Sequence, residues 1–115
     1  MVKDKALIKD TIKLFVEEVE RHYDVETVIL FGSWVKGTAD EYSDIDLAIV
    51  APEFGKNRLK EAQSLSKIAW EVDAAIEAIP YSVDEYISVD KTCFLYNIIQ
   101  DGEVVYSKVS QKVHR

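Results

Sequence analysis

Thr27-Val28-Ile29-Leu30-Phe31-Gly32-Ser33-Trp34-Val35-Lys36-Gly37, taken up again at Ser43-Asp44-Ile45-Asp46-Leu47-Ala48-Ile49-Val50, is the stretch that decides the fold. The run Thr27–Phe31 is apolar and rich in β-branched residues, which predicts a central buried strand over about Glu26–Phe31. That strand stops at Gly32. After Gly37 and the polar loop Thr38–Tyr42 a second strand is expected, over about Asp44–Val50. The pattern between the two is Gly-Ser, ten residues, then Asp-x-Asp.

A Gly-Ser turn that leaves a buried strand and opens into a helical turn presents backbone N–H groups and a hydroxyl, which suits an anion. Side chains alternate across a strand, so Asp44 and Asp46 share one face while Ile45 and Leu47 share the other. Two neighbouring carboxylates repel, and a hard divalent cation relieves them. Mg²⁺ prefers one or two carboxylates completed by phosphate oxygens. A phosphate cradle beside paired carboxylates therefore points to metal-assisted phosphoryl or nucleotidyl transfer. Solvated edge-strand acids and a plain helix N-cap at Ser33 are the bland alternatives.

The stretch GSWVKGTADEYSDIDLAIV resembles the signature of the minimal nucleotidyltransferases, within the DNA polymerase β-like superfamily. The resemblance implies an α/β fold (α+β in stricter terms), a small mixed sheet packed with helices, as one domain over 1–115. It implies that Asp44 and Asp46 hold two Mg²⁺ ions, with Asp73 as third ligand. It assigns Gly32 and Ser33 to the β,γ-phosphates of ATP, and Lys36, where the family often carries arginine, to the triphosphate as a point charge. With no histidine beside the motif, the metal would lower the acceptor hydroxyl's pKa, with Asp73 as candidate proton acceptor.

Asp73 rests on strand phase: Val72–Ile79 reads as a third strand stopped by Pro80, with Asp73 near its start. Glu71 and Glu77 compete because odd positions share a face. The V-D-A-A pattern favours Asp73, and Glu77 would lie ~13 Å further along such a strand.

The chain has 115 residues, 48% hydrophobic and 30% charged, the composition of a folded domain with no expected room for a second. No apolar run reaches the ~20 residues of a membrane helix, and Lys3, Asp4 and Lys5 do not begin a signal peptide. One cysteine, Cys93, excludes an internal disulfide framework and fits a reducing cytosol. The net charge of -7 argues against direct nucleic-acid binding and suits a metal site. The tail with Lys108, Lys112 and Arg115 reads as a solvated terminus.

In chain order, Leu7, Ile8, Ile12, Phe15, Val16 and Val19 form a helical stripe over Lys3–Tyr23. His22 at its end has no His or Cys partner nearby and reads as solvated. A further helix is expected over about Arg58–Ala69, with Leu59, Ala62, Leu65 (or Ser66) and Ala69 inward. Ser82-Val83-Asp84-Glu85 is a capping signal. Asp90–Gln100 should be a helix with Phe94, Leu95, Ile98 and Ile99 inward, capped by Gly102 before an edge strand at Val104–Tyr106. Trp34 reads as packing more than base cover, and Cys93 and Trp70 read as core.

The expected reaction is transfer of AMP from ATP to a hydroxyl. Family members of this length pair with HEPN-domain ribonuclease toxins as antitoxins and place AMP on a toxin tyrosine, so the resemblance implies a HEPN partner. The other class of reading is a catalytically idle binding module acting by partner contact; a two-metal phosphatase or nuclease would share the carboxylates without needing the Gly-Ser cradle. The Val104 edge and the Phe94 helix leave room for a homodimer or a partner.

Overall fold

The apolar run after Glu26 forms β1, Thr27–Phe31, with Thr27, Val28, Ile29 and Leu30 buried. A computed structural model of the chain describes residues 5–108. Lys3, Lys112 and Arg115, near the two ends of the chain, lie outside the described residues. Ahead of β1 runs α1, Lys5–Glu20, which buries Ile8, Ile12, Phe15, Val16 and Val19 as its stripe requires.

The short α2, Ser33–Lys36, follows β1 and ends at Gly37. Then come β2 (Ile45–Val50), α3 (Arg58–Val72), β3 (Ile76–Tyr81), α4 (Val83–Ile87), α5 (Phe94–Asp101) and β4 (Glu103–Ser107). The strands make one mixed sheet in the order β3-β2-β1-β4. β1 is antiparallel to both β2 and β4, while β2 and β3 are parallel and joined by α3 as a crossover.

Period-2 alternation gives the sheet two buried faces. Val28, Leu30, Ile45, Leu47 and Ile49 pack with Phe15, Val19, Leu65 and Ala69 from α1 and α3. Ile29, Ala48, Val50 and Tyr81 pack with Leu95 and Ile98 of α5 on the opposite face. β2 is thus covered on both sides, which explains its almost unbroken apolar sequence.

Several sequence expectations are corrected, among them the helix expected over Asp90–Gln100, which begins only at Phe94 after the Asp90–Thr92 turn. α3 runs on to Val72 instead of ending near Ala69, because Leu65, Ile68, Ala69 and Val72 continue an inward helical stripe. β3 therefore begins at Ile76 and carries Pro80 within it. An edge strand tolerates this proline because its missing N–H would face away from β2. The side chains of Leu59 (70% exposed), Trp70 (76%) and Phe94 (59%) point outward, and Cys93 is exposed as the residue preceding α5.

The capping signal is present in full: Ser82 Oγ accepts from Glu85 N–H at 3.0 Å, and Glu85 Oε1 accepts from Ser82 N–H at 2.8 Å. Glu61 ties the loop before α3, accepting N–H groups of Gly55, Lys56 and Asn57. Burial pushes its pKa up, but these donors and Arg58 outweigh it and hold the carboxyl low.

Gly102 ends α5 at φ −84°, so its glycine is required by space. A Cβ there would stand 2.4 Å from Ile98 O, 2.7 Å from Ile29 Cγ2 and 2.9 Å from Leu30 O. Gly102→Ala is expected to destabilise the chain by about 1–3 kcal/mol, measured by denaturant unfolding, since two of those atoms are backbone. Unchanged stability would show that β4 can shift without cost.

Candidate functional site

The site forms where β1 hands the chain to α2. Gly32 lies at φ 80°, ψ −150°, and is the N-cap of α2, with Ser33 as the first helical residue. Ser33 is therefore not the cap that a Gly-Ser turn also allows. Gly32 O accepts from the N–H groups of Val35 and Lys36, both at 3.1 Å, which folds the turn tightly over the end of β1. The first amides of any helix lack intrahelical acceptors, so Ser33 and Trp34 N–H are directed outward from this end. Lys36 is exposed in the last turn of α2.

Asp46 belongs to β2 and pairs with Phe31 across the antiparallel ladder. This register brings it under the Gly-Ser turn: a Cβ on Gly32 would stand 2.3 Å from Asp46 Oδ2. Gly32 is thus demanded twice, by its positive φ and by the carboxylate against it. Asp44 sits just before β2 and is exposed.

On the other side of β2, Glu77 pairs with Asp46 in the parallel ladder. Paired strands run about 4.8 Å apart, so the two carboxylates are neighbours on one face. Burial, then Glu77, then Asp44 raise the pKa of Asp46 above the usual carboxylate range. Asp44 and Glu77 thus both act on Asp46, which lies against the Gly-Ser turn. Among the described residues no group of three His, Cys, Asp or Glu side chains is placed to hold a metal ion by itself.

Asp73 is placed elsewhere than strand phase implies. It is the C-cap of α3, its N–H donates to Ala69 O at 2.7 Å, and its Oδ1 accepts from Ala75 N–H at 2.9 Å. It shapes the turn into β3. Glu71 falls within α3. Glu77 is the odd-numbered acid that the sheet brings beside Asp46, because β3 starts four residues later than the sequence suggests. An alternating pattern alone cannot reveal that shift; the helical stripe through Val72 was the available signal.

Trp34 is buried in the α1-side core, in agreement with packing, and its Nε1 has no acceptor among the described residues. Phe94 of α5 meets Phe31 edge-on, with centroids 6.0 Å apart, beside the acids. His22 is exposed, its ring 6.5 Å from that of Tyr23.

A model of the polymerase beta nucleotidyltransferase family matches residues 13–111. The chain belongs to that family. It is 44% identical over 66 residues to "Probable protein adenylyltransferase MntA" of Haemophilus influenzae, covering 54% of this chain and 55% of that protein. The chain spans about half the length of the curated relatives it matches. Its fold is like that of a toxin–antitoxin complex solved with AMP-PNP: TM-score 0.59, 21% identity, 90% of this chain and 76% of that one. It is also like the MntA–HepT toxin–antitoxin complex, with TM-score 0.55, 18% identity, and 93% and 76% covered. Among the described residues no helix is long and apolar enough to cross a membrane.

Because the folded pKa of Asp46 is raised, the folded state holds its proton to higher pH than the unfolded chain. Stability therefore falls as pH rises from the ordinary carboxylate pKa through the raised value, and stays lower above it. Without divalent cations, Asp46→Asn should raise Tm at neutral pH and flatten that fall. A lower Tm for Asp46→Asn in chelator would overturn this electrostatic reading.

Proposed function

We propose that this chain is a protein adenylyltransferase that moves AMP from ATP to a side-chain hydroxyl of a partner protein, and that it acts as the antitoxin of a HEPN-type toxin whose tyrosine receives the AMP. One observation carries the chemistry: the register that sets Asp46 between Gly32 and Glu77. The relation to an adenylyltransferase and the likeness to toxin–antitoxin complexes support the partner.

Asp46, with Asp44 and Glu77 acting on it, supplies hard carboxylate oxygens of the kind a divalent cation takes, and phosphate oxygens of the nucleotide would complete the set. Asp44, Asp46 and Glu77 would hold Mg²⁺, two ions in the complete site. Glu77 takes the place that sequence pattern gave to Asp73. When bound, the metal screens phosphate charge and lowers the hydroxyl pKa.

The chain's own groups do the rest. Gly32 and Ser33 offer amides and a hydroxyl to the β,γ-phosphates, and Lys36 adds a positive charge at the far end of α2. These contacts orient the α-phosphorus toward the acids. The acceptor oxygen forms a new P–O bond there as the bond to pyrophosphate breaks, and the hydroxyl proton passes to one of these carboxylates or to water.

The test is incubation of the chain with labelled ATP and Mg²⁺, with the protein encoded beside it, followed by intact mass. One or more AMP units should appear on the neighbour and pyrophosphate on the medium. Asp44→Ala/Asp46→Ala should abolish both. Glu77→Gln should lower the rate by about a hundredfold or more, whereas Asp73→Asn should act mainly on stability. Equal losses for Glu77→Gln and Asp73→Asn would return Asp73 to the site. No mass gain with any nucleotide, while the two proteins still bind, would leave a binding module; inorganic phosphate in place of pyrophosphate would mark a phosphatase or nuclease.

A further inference from the structure

β3 is an outer strand of the sheet, and its free edge lies beside the proposed site. Ile45 N–H donates to Ala75 O at 2.8 Å and Ala51 N–H to Tyr81 O at 3.0 Å. By strand alternation, residues 75, 77, 79 and 81 turn their backbone groups toward β2, and Ile76, Ala78 and Pro80 turn theirs outward. Both ends of that outer row are closed. Ile76 N–H donates to Asp73 O at 3.1 Å. Pro80 has no N–H, and its carbonyl accepts from Arg58 Nη1 at 2.8 Å.

Among the described residues, what stays open is a short window: the Ile76 carbonyl and both the N–H and carbonyl of Ala78. A groove of about 390 Å³ lies along it, lined by Ser66, Trp70, Ile76, Glu77 and Ala78 among others. Trp70 is 76% exposed over this groove, and among the described residues Glu77 is its one charged lining side chain.

We infer that the β3 edge at Ala78 is the docking site for an extended segment of the acceptor protein, which adds to the sheet as a fifth strand. Such a strand would run about 4.8 Å from β3, and its side chains would alternate. One points to the face of Glu77, where the hydroxyl is needed; its neighbour enters the groove at Trp70. Glu77 and the net charge of -7 favour a basic residue beside the hydroxyl. The groove shares Glu77 with the proposed site, so docking and placement of the hydroxyl become one event. This rests on the adenylyltransferase reading only for the identity of the occupant.

The test uses the full chain, with the protein encoded beside it as the acceptor. Trp70→Ala and Ala78→Pro each alter the edge without touching the β2–β3 ladder. Both should raise the acceptor KM at least about tenfold while Mg-ATP binding stays at the wild-type value. Amide exchange of Ala78, fast in the free chain, should slow when the acceptor binds. AMP transfer with Ala78 still exchanging fast, and with both variants within twofold of wild type, would overturn the docking edge and leave the transferase reading standing. Binding that protects Ala78 without AMP transfer would keep the edge and remove the transferase reading. Neither binding nor transfer would overturn both.

Discussion

The close approach of Gly32 to Asp46 is the constraint on which the site depends. The antiparallel register of β1 and β2 pairs Phe31 with Asp46, so the turn after Phe31 must pass over that carboxylate. Any side chain at 32 would collide with Oδ2, and the turn also needs φ near 80°. The same contact that excludes a Cβ sets helix-start amides beside an acid. Amides attract phosphate and the acid attracts a cation, so neighbouring positions acquire opposite preferences.

That arrangement works against stability. Asp46 is partly buried beside two other acids, and its charge is disfavoured first by desolvation and then by Glu77 and Asp44. The scaffold compensates elsewhere, with β2 buried on both faces between α1 and α3 on one side and α5 on the other. Local electrostatic strain held by a well-packed core is a common feature of sites that bind charged ligands.

The two ends of the sheet are finished differently. β4 follows the tight Gly102 junction, and Tyr106 Oη donates to Glu20 at 2.6 Å, tying the edge back to α1. Burial, and then the Glu20 bond and nearby acids, push the Tyr106 phenol up to about 12, so it remains a donor. β3 instead is blocked at Pro80 by Arg58, which also stacks on Tyr81 and pairs with Glu85. Blocked edges resist unwanted pairing, and a single unblocked step is where selective pairing can occur.

The sequence by itself determined much of this protein. Apolar runs and period-2 alternation gave β1 and β2, helical spacing gave α1, and Ser82–Glu85 gave a capped α4, because these depend on local chemistry and on burial of one face. The Gly-Ser and Asp-x-Asp spacing singled out Gly32 and Asp46, and the β1–β2 register brings these two together. Tertiary structure alone decided which acid stands beside Asp46. Val72 fits the start of a strand over 72–79 by alternation and the end of a helix by the Leu65–Val72 stripe, and packing of that stripe on the sheet carries the helix to Val72, leaving 73–75 as the turn into β3. The four-residue shift in where β3 begins moves Asp73 into a turn and brings Glu77 to the site. It likewise leaves Trp70 outside the core, since exposure follows from which helical face meets the sheet, and sequence periodicity could not fix that face at the helix end.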